Sequence, residues 1–209
     1  MIAVEKLDVL LTGVGGQGTI LASDILVEVG LAAGYDVKKS EVHGMAQRGG
    51  SVESQVRWGT KVYSATIEKG TADYLLGFEM LEAARWIEHL KPGGAVIVNR
   101  YRIPPPSVNM GEARYPEEAD IQRVLERRAG RVTWVNATAQ AAELGTAALA
   151  GVILLGHLAA ELEVEAQVWK DVIARLVPPR FVALNLEAFA RGLGLGGGDQ
   201  TGRLTEQRR

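Results

Sequence analysis

Short apolar runs along the chain alternate with longer stretches in which apolar residues recur at helical spacing. The apolar runs predict buried β-strands at residues 7–12, 37–40, 73–78, 95–99 and 132–136. Helical spacing predicts helices at residues 17–33, 79–90 and 116–129, and only helices after Thr138, divided at Pro178-Pro179. Strands that alternate with helices are typical of a doubly wound α/β sheet.

A second pattern departs from this alternation. Residues 51–58 and 61–67 alternate polar and apolar positions around Gly59-Thr60, which predicts an antiparallel hairpin in or beside the sheet. We therefore expect a Rossmann-like, mostly parallel sheet with an antiparallel hairpin and a helical C-terminal part. Residues 1–192 are predicted to form one domain, and the Gly-rich, then charged residues 193–209 a flexible tail.

The most apolar segment is residues 147–160, which Gly151, Gly156 and His157 interrupt. It is too short to span a bilayer, and its pattern is typical of a buried or interface helix. Two alternatives stay open for the helix pair at residues 147–175: a docking surface for a partner, or a closed core. The leucines concerned are Leu154, Leu155, Leu158 and Leu162.

Composition narrows the range of functions. The chain is 47% hydrophobic and 23% charged with a formal net charge of −2, which gives no case for a nucleic-acid partner or an anionic membrane surface. The N-terminus carries Glu5 and Asp8 and lacks the basic region of a secretory signal, so we expect a cytoplasmic protein.

The sequence contains no cysteine, which excludes disulfides, a Cys nucleophile and Cys-ligated iron–sulfur clusters within this chain. The three histidines, His43, His89 and His157, show no metal-ligand spacing, so we predict no metal site. Electron carriers for any redox chemistry must therefore be noncovalent or lie on another polypeptide.

A glycine-rich turn follows the first predicted strand. Gly13-Val14-Gly15-Gly16-Gln17-Gly18 matches G-x-G-x-x-G and opens a predicted helix, whose N-terminal N–H groups attract anions. Three interpretations remain: dinucleotide binding, contact with another anion or cofactor, or tight packing alone. The ribose-binding acid of a dinucleotide site would be Glu41, which begins a polar loop.

That second loop is the more unusual segment: His43-Gly44-Met45-Ala46-Gln47-Arg48-Gly49-Gly50. It follows a strand, so we expect it at the same sheet edge as the first turn. Gln47 and Arg48 suit a carboxylate or phosphate, and Gly49 and Gly50 allow close approach of another group. His43 is either an acid–base group or, more simply, a hydrogen-bonding loop residue, and we assign no catalytic residue.

The two loops together resemble a known family. The first turn with Thr19-Ile20-Leu21-Ala22, and residues 40–52, are similar to the beta subunits of indolepyruvate:ferredoxin oxidoreductases, and more broadly to the gamma domain of pyruvate and 2-ketoisovalerate oxidoreductases. The resemblance continues through Val98-Asn99 and Asn136-Ala137-Thr138 and covers most of residues 7–190.

The resemblance implies a complex that decarboxylates a 2-oxoacid oxidatively, forms acyl-coenzyme A and reduces ferredoxin. A large alpha subunit would carry thiamine diphosphate, Mg²⁺ and [4Fe–4S] clusters, while this chain would bind no cofactor tightly. Its expected contacts with coenzyme A or the partner are Gly13, Gly15, Gly16, Gln17, Gly18, His43, Gln47, Arg48, Gly49 and Gly50. Two other classes remain open: a stand-alone dinucleotide-binding oxidoreductase, and a purely structural assembly subunit.

Overall fold

The computed structural model describes residues 6–43 and 50–196, with the backbone alone for His43, Leu195 and Gly196. The strands are β1 (Lys6–Val14), β2 (Asp36–His43), β3 (Ser51–Gly59), β4 (Ala72–Gly77), β5 (Leu90–Asn99) and β6 (Arg131–Val135). The helices are α1 (Thr19–Ala32), α2 (Met80–Trp86), α3 (Pro106–Asn109), α4 (Glu118–Glu126), α5 (Ala137–Glu143), α6 (Ala150–Ala159), α7 (Ala166–Leu176) and α8 (Val182–Gly196).

The described strands form one six-stranded sheet in the order β2-β3-β1-β4-β5-β6. β1, β4, β5 and β6 are mutually parallel, whereas β3 runs antiparallel to both of its neighbours, β1 and β2. The predicted fold class, a mostly parallel α/β sheet with an antiparallel element and a helical C-terminal part, is confirmed. The parallel strands all end at one edge, called here the carboxyl edge.

The prediction that residues 51–58 pair with residues 61–67 in a hairpin is wrong. β3 pairs with β2 and β1, and residues 61–67 form no strand. The backbone of this segment is bound by β3 side chains instead: the Arg57 guanidinium donates to the Ser64 and Thr66 carbonyls, and Ile67 N donates to Gln55 Oε1. Its alternating pattern matches its burial, because Val62 and Ile67 are buried while Tyr63 is exposed.

Several boundaries also differ from the prediction. β2 continues through residues 41–43, which had been assigned to a loop. The predicted helix at residues 79–90 is α2 followed by a single 3₁₀ turn, Ile87–His89, after which β5 begins. α8 continues to Gly196, four residues into the predicted tail, and residues 197–209 lie outside the described part of the chain.

Helices cover both faces of the sheet, as expected for a doubly wound fold. One core joins α1, α5, α6, α7 and α8 to the face that carries Leu11, Leu76 and Ile97. The other joins α2 and α4 to the face that carries Leu10 and Leu75. The carboxyl edge is therefore the natural place for a site between these layers.

The burial of α6 decides whether the apolar segment is a docking surface for a partner or part of a closed core. All of its residues are buried, and Leu154, Leu155 and Leu158 are 0% exposed, so these leucines belong to a closed core. Leu162, beyond the end of α6, is only partly buried. Within the described ranges, none of the helices combines the length and apolar character needed to cross a membrane.

Candidate functional site at the carboxyl edge

The first glycine turn joins β1 to α1, as the sequence predicted. Gly16 and Gly18 have φ angles of 98° and 81°, a conformation that residues with a Cβ rarely adopt. Val14 N donates to Gln17 Oε1 (2.7 Å), and Gln17 Nε2 donates to the Phe78 carbonyl (3.0 Å). The Gln17 side chain thus holds the turn in shape, while α1 begins without a side-chain cap and leaves N–H groups of its first turn for a ligand.

The second loop meets the first at the carboxyl edge. Gly15 N donates to the Gly50 carbonyl (3.0 Å), and Val14 is paired with Ser51 across β1 and β3. The predicted shared edge is therefore present at Gly50. Gln47, Arg48 and Gly49 lie outside the described residues, and the side chain of His43 is not described.

Glu41 does not stand where a dinucleotide site needs its acid. β3 separates β2 from β1, which places Glu41 two strand spacings, about 10 Å, from the first turn. Its carboxylate accepts from Ser23 Oγ (3.3 Å) and forms an ion pair with Lys39. The G-x-G-x-x-G turn therefore lacks the second half of the dinucleotide fingerprint.

A cleft of about 270 Å³ opens beside the first turn. It is lined by Gly15, Gly16, Gln17, Phe78, Asn99, Tyr101, Ile103, Thr138, Ala147, Ala148 and Ala150. The three residues predicted from the turn are joined there by residues that the sequence interpretation did not assign to the site. A usable signal existed for some of them, because Phe78, Asn99 and Thr138 follow or end predicted strands, and ligands in such sheets bind beyond the carboxyl ends of strands.

Asn99 ties the floor of the cleft together. It is 1% exposed, and its Nδ2 donates to the Phe78 carbonyl (3.1 Å) and to Thr138 Oγ1 (2.8 Å). Thr138 N donates back to Asn99 Oδ1 (3.2 Å). The ends of β4 and β5 and the start of α5 are thereby fixed relative to one another.

Glu53 lies close to this edge in β3, directly across from Thr12 of β1. It is 5% exposed, and one carboxylate oxygen accepts from Gln55 Nε2 (3.1 Å) while the other finds no partner among the described residues. Burial raises the pKa of the Glu53 carboxyl, and the Gln55 hydrogen bond opposes this to a smaller extent.

The chemistry available in the described part of the cleft is that of binding. Its lining offers the hydroxyls of Thr138 and Tyr101 and apolar surface, whereas the Nδ2 protons of Asn99 are already donated within the protein. Across residues 6–43 and 50–196, no His, Asp and Glu side chains are grouped to hold a metal ion. Such a lining suits the binding of a partly apolar ligand rather than bond-making by side chains.

The sequence is similar to a known protein family along nearly its whole length. Residues 8–195 match the family model described as pyruvate ferredoxin/flavodoxin oxidoreductase. Indolepyruvate oxidoreductase subunit IorB of Pyrococcus horikoshii is 41% identical over 193 residues, covering 91% of this chain and 96% of the relative. The subunit of the same name in Archaeoglobus fulgidus is 36% identical over 189 residues, covering 90% and 94%.

Solved structures share the fold. The gamma subunit of a keto/oxoacid ferredoxin oxidoreductase from Geobacter sulfurreducens has a TM-score of 0.67 and 24% identity, covering 91% of this chain and 98% of that one. A 2-oxoglutarate:ferredoxin oxidoreductase chain from Magnetococcus marinus, solved with 2-oxoglutarate, coenzyme A and succinyl-CoA bound, has a TM-score of 0.69 and 21% identity, covering 92% and 31%. The resemblance seen in the sequence is confirmed, and the chain belongs to the pyruvate ferredoxin/flavodoxin oxidoreductase family.

Proposed function

We propose that this chain is the small (beta) subunit of a thiamine-diphosphate-dependent 2-oxoacid:ferredoxin oxidoreductase that acts on indolepyruvate or a related arylpyruvate in the cytoplasm. The main support for this proposal is the similarity to four named subunits. Four relatives that match at 36–41% identity over at least 90% of this chain all bear the name indolepyruvate oxidoreductase subunit. The complex would convert the 2-oxoacid to an acyl-coenzyme A and pass the electrons to ferredoxin.

The division of labour between subunits follows from what this chain offers. It has no cysteine to ligate an iron–sulfur cluster, and its described residues group no metal ligands for the Mg²⁺ of thiamine diphosphate. We therefore assign thiamine diphosphate, Mg²⁺ and the [4Fe–4S] clusters to a large alpha subunit, through which ferredoxin would be reduced.

This chain would supply one wall of the shared active-site region. The proposed contacts with coenzyme A or with the alpha subunit are Gly13, Gly15, Gly16, Gln17, Gly18, His43, Gln47, Arg48, Gly49 and Gly50. The meeting of the two loops at Gly15 and Gly50 supports this assignment, as does the uncapped N-terminus of α1, which suits the phosphates of coenzyme A. The apolar part of the cleft, around Phe78, suits the rest of that ligand.

The function is tested by producing the chain together with its large subunit and measuring ferredoxin reduction. We expect reduction that needs both an arylpyruvate and coenzyme A, and none from either subunit alone. A purified two-subunit complex that reduces ferredoxin with neither indolepyruvate nor phenylpyruvate would refute the proposal.

The site is tested by Arg48→Ala, with Arg127→Ala as the control because Arg127 is an exposed arginine directly after the end of α4. We expect Arg48→Ala to weaken coenzyme-A-dependent turnover and Arg127→Ala to leave it unchanged. Unchanged kinetics and assembly in Arg48→Ala would remove Arg48 from the site. Loop variants that affect only assembly would instead favour a structural subunit, and tight NADH binding by the isolated chain in equilibrium dialysis would favour a dinucleotide-binding oxidoreductase.

A further inference from the structure

The turn from β4 into α2, residues 78–82, lies behind the cleft and is called here the 78–82 corner. Phe78 N donates to the Thr12 carbonyl of β1 (2.7 Å). The Phe78 carbonyl accepts from Gln17 Nε2 (3.0 Å) and from Asn99 Nδ2 (3.1 Å). One peptide group of the corner thus holds both the first glycine turn and the end of β5.

Glu79 is the most connected side chain of the corner and is 1% exposed. One carboxylate oxygen accepts from Glu82 N (2.9 Å) and caps α2. The other accepts from Ile103 N (3.1 Å) and from the Tyr115 hydroxyl, which in turn accepts from Leu81 N (3.2 Å). The carboxylate therefore joins the start of α2 to two segments that lie 24 and 36 residues further along the chain.

Glu82, one turn later, holds the other side of the site. It is 3% exposed, and its carboxylate accepts from Ser51 Oγ (2.5 Å) and from Arg85 Nη1 (2.6 Å). Ser51 begins β3 directly after Gly50, whose carbonyl accepts from Gly15 N. The end of the second loop is thereby attached to the same corner.

The choice of glutamate at position 79 is informative. A helix start is capped adequately by the short side chains of Ser, Thr, Asp or Asn, and capping alone does not call for a glutamate. The extra methylene of Glu79 lets its second oxygen reach Ile103 and Tyr115 while the first still caps α2. A buried carboxylate with several donors is costly to disturb, since removing one donor leaves charge unsatisfied.

We propose that Glu79 is a positioning residue that, through Tyr115 and the backbone of Ile103, fixes the wall of the cleft formed by Tyr101 and Ile103. Met80 N, which donates to the Tyr101 carbonyl (3.1 Å), completes this attachment. The wall is then ready to bind a ligand without first being ordered, which improves affinity. The identity of that ligand, coenzyme A, rests on the proposed function.

The first test is Tyr115→Phe in the assembled complex. The variant removes the hydroxyl that donates to Glu79 but keeps the aromatic ring beneath the Arg102 guanidinium. We expect the KM for coenzyme A to rise roughly tenfold while kcat and the KM for the 2-oxoacid stay unchanged. The reason is that the variant weakens the binding of coenzyme A equally in the ground state and in the transition state. The matched control is Tyr63→Phe, since Tyr63 is 90% exposed and lies in the segment after the far end of β3.

The second test separates the two roles of Glu79. Glu79→Asp retains the charge and a side chain suited to capping α2 but is too short to reach Ile103 and Tyr115 as well. We expect the same rise in KM as in Tyr115→Phe, together with a lower melting temperature, because the shortened carboxylate loses its donors at Ile103 and Tyr115. Hydrogen exchange of the backbone amides of residues 100–103 should become faster in both variants and stay unchanged in Tyr63→Phe.

Unchanged exchange at residues 100–103 in Tyr115→Phe and Glu79→Asp overturns the inference, as does an unchanged KM for coenzyme A in an active complex. If the wild-type complex shows no turnover that depends on coenzyme A, the proposed function fails. The exchange measurement then decides the role of Glu79 by itself: faster exchange supports the positioning role, and unchanged exchange refutes it.

Discussion

Replacing Gly156 with alanine tests the contact between α6 and α8, on which the C-terminal part of the fold depends. A Cβ atom at this position would lie 2.5 Å from the Phe189 carbonyl oxygen, 2.7 Å from Leu193 N and 2.8 Å from Gly192 Cα. All three atoms belong to the backbone of α8, so no side-chain rotation can make room. The helices would have to separate until these distances approach an ordinary contact of 3.4 Å.

Two effects of opposite sign determine the size of the change. Alanine is favoured over glycine inside a helix by about 1 kcal/mol. Forcing the two helices apart disturbs side chains that are 0% exposed, such as Ile153 and Phe189, and overpacking of this kind costs about 3 kcal/mol when the backbone itself must move. We expect a net loss of about 2 kcal/mol, which lowers the melting temperature of a domain of this size by about 4–8 °C.

Gly194→Ala is the matched control because Gly194 lies in α8 and a Cβ there would meet nothing within 4 Å. The same substitution without the clash should raise stability by less than about 1 kcal/mol. Differential scanning calorimetry of the three proteins under identical conditions gives the comparison. A Gly156→Ala variant that melts at or above the wild-type temperature would refute the packing argument.

Three further predictions follow from the described contacts. The raised pKa of Glu53 means that its contribution to stability is fully present below the unfolded pKa, about 4.3, and is lost as pH rises through the folded pKa. Glu53→Gln should therefore gain melting temperature relative to the wild type as the pH rises above the unfolded pKa, and a difference that is constant with pH would contradict this. Asp8→Ala should cost about 2–3 kcal/mol in urea unfolding, because Asp8 is 0% exposed and its removal takes the carboxylate from the Arg57 guanidinium, 2.8 Å away, which keeps its bonds to the Ser64 and Thr66 carbonyls; a loss below about 1 kcal/mol would show that the pair contributes little. Gly16→Ala and Gly34→Ala introduce the same strain at φ angles of 98° and 90° with no clash, but only Gly16 lines the cleft, so only Gly16→Ala should raise the KM for coenzyme A. Equal KM values for the two variants would argue against a ligand at this turn.

The parts of the fold that depend on local signals could be predicted from the sequence. The apolar run of β1, the glycine turn and the start of α1 are adjacent in the chain, and each carries its own signal in a few residues. The pairing of β3 could not be predicted in this way. Its partners are chosen by packing across the sheet, and the alternating pattern at residues 61–67 resembled a strand although Val62 and Ile67 are buried there outside any strand.

The candidate site shows the same division. The two glycine-rich loops were visible because their composition is unusual, and the structure brings them together at Gly15 and Gly50. Asn99, Tyr101 and Thr138 come from separate segments with ordinary composition, and only the order of β4, β5 and β6 places them in one cleft. Sequence spacing does not encode that order.

The position of β3 has a consequence for how related subunits can diverge. Every residue of β2 is paired with β3, from Asp36 opposite Gly59 to His43 opposite Val52, so the strands on either side of the intervening connection are fixed independently of it. The register of β2 is therefore set by β3, and a shift of β3 along β1 would carry β2 with it. A shift by one residue would turn the side chains of β3 to the opposite face of the sheet, so in related subunits these two strands can change register only together.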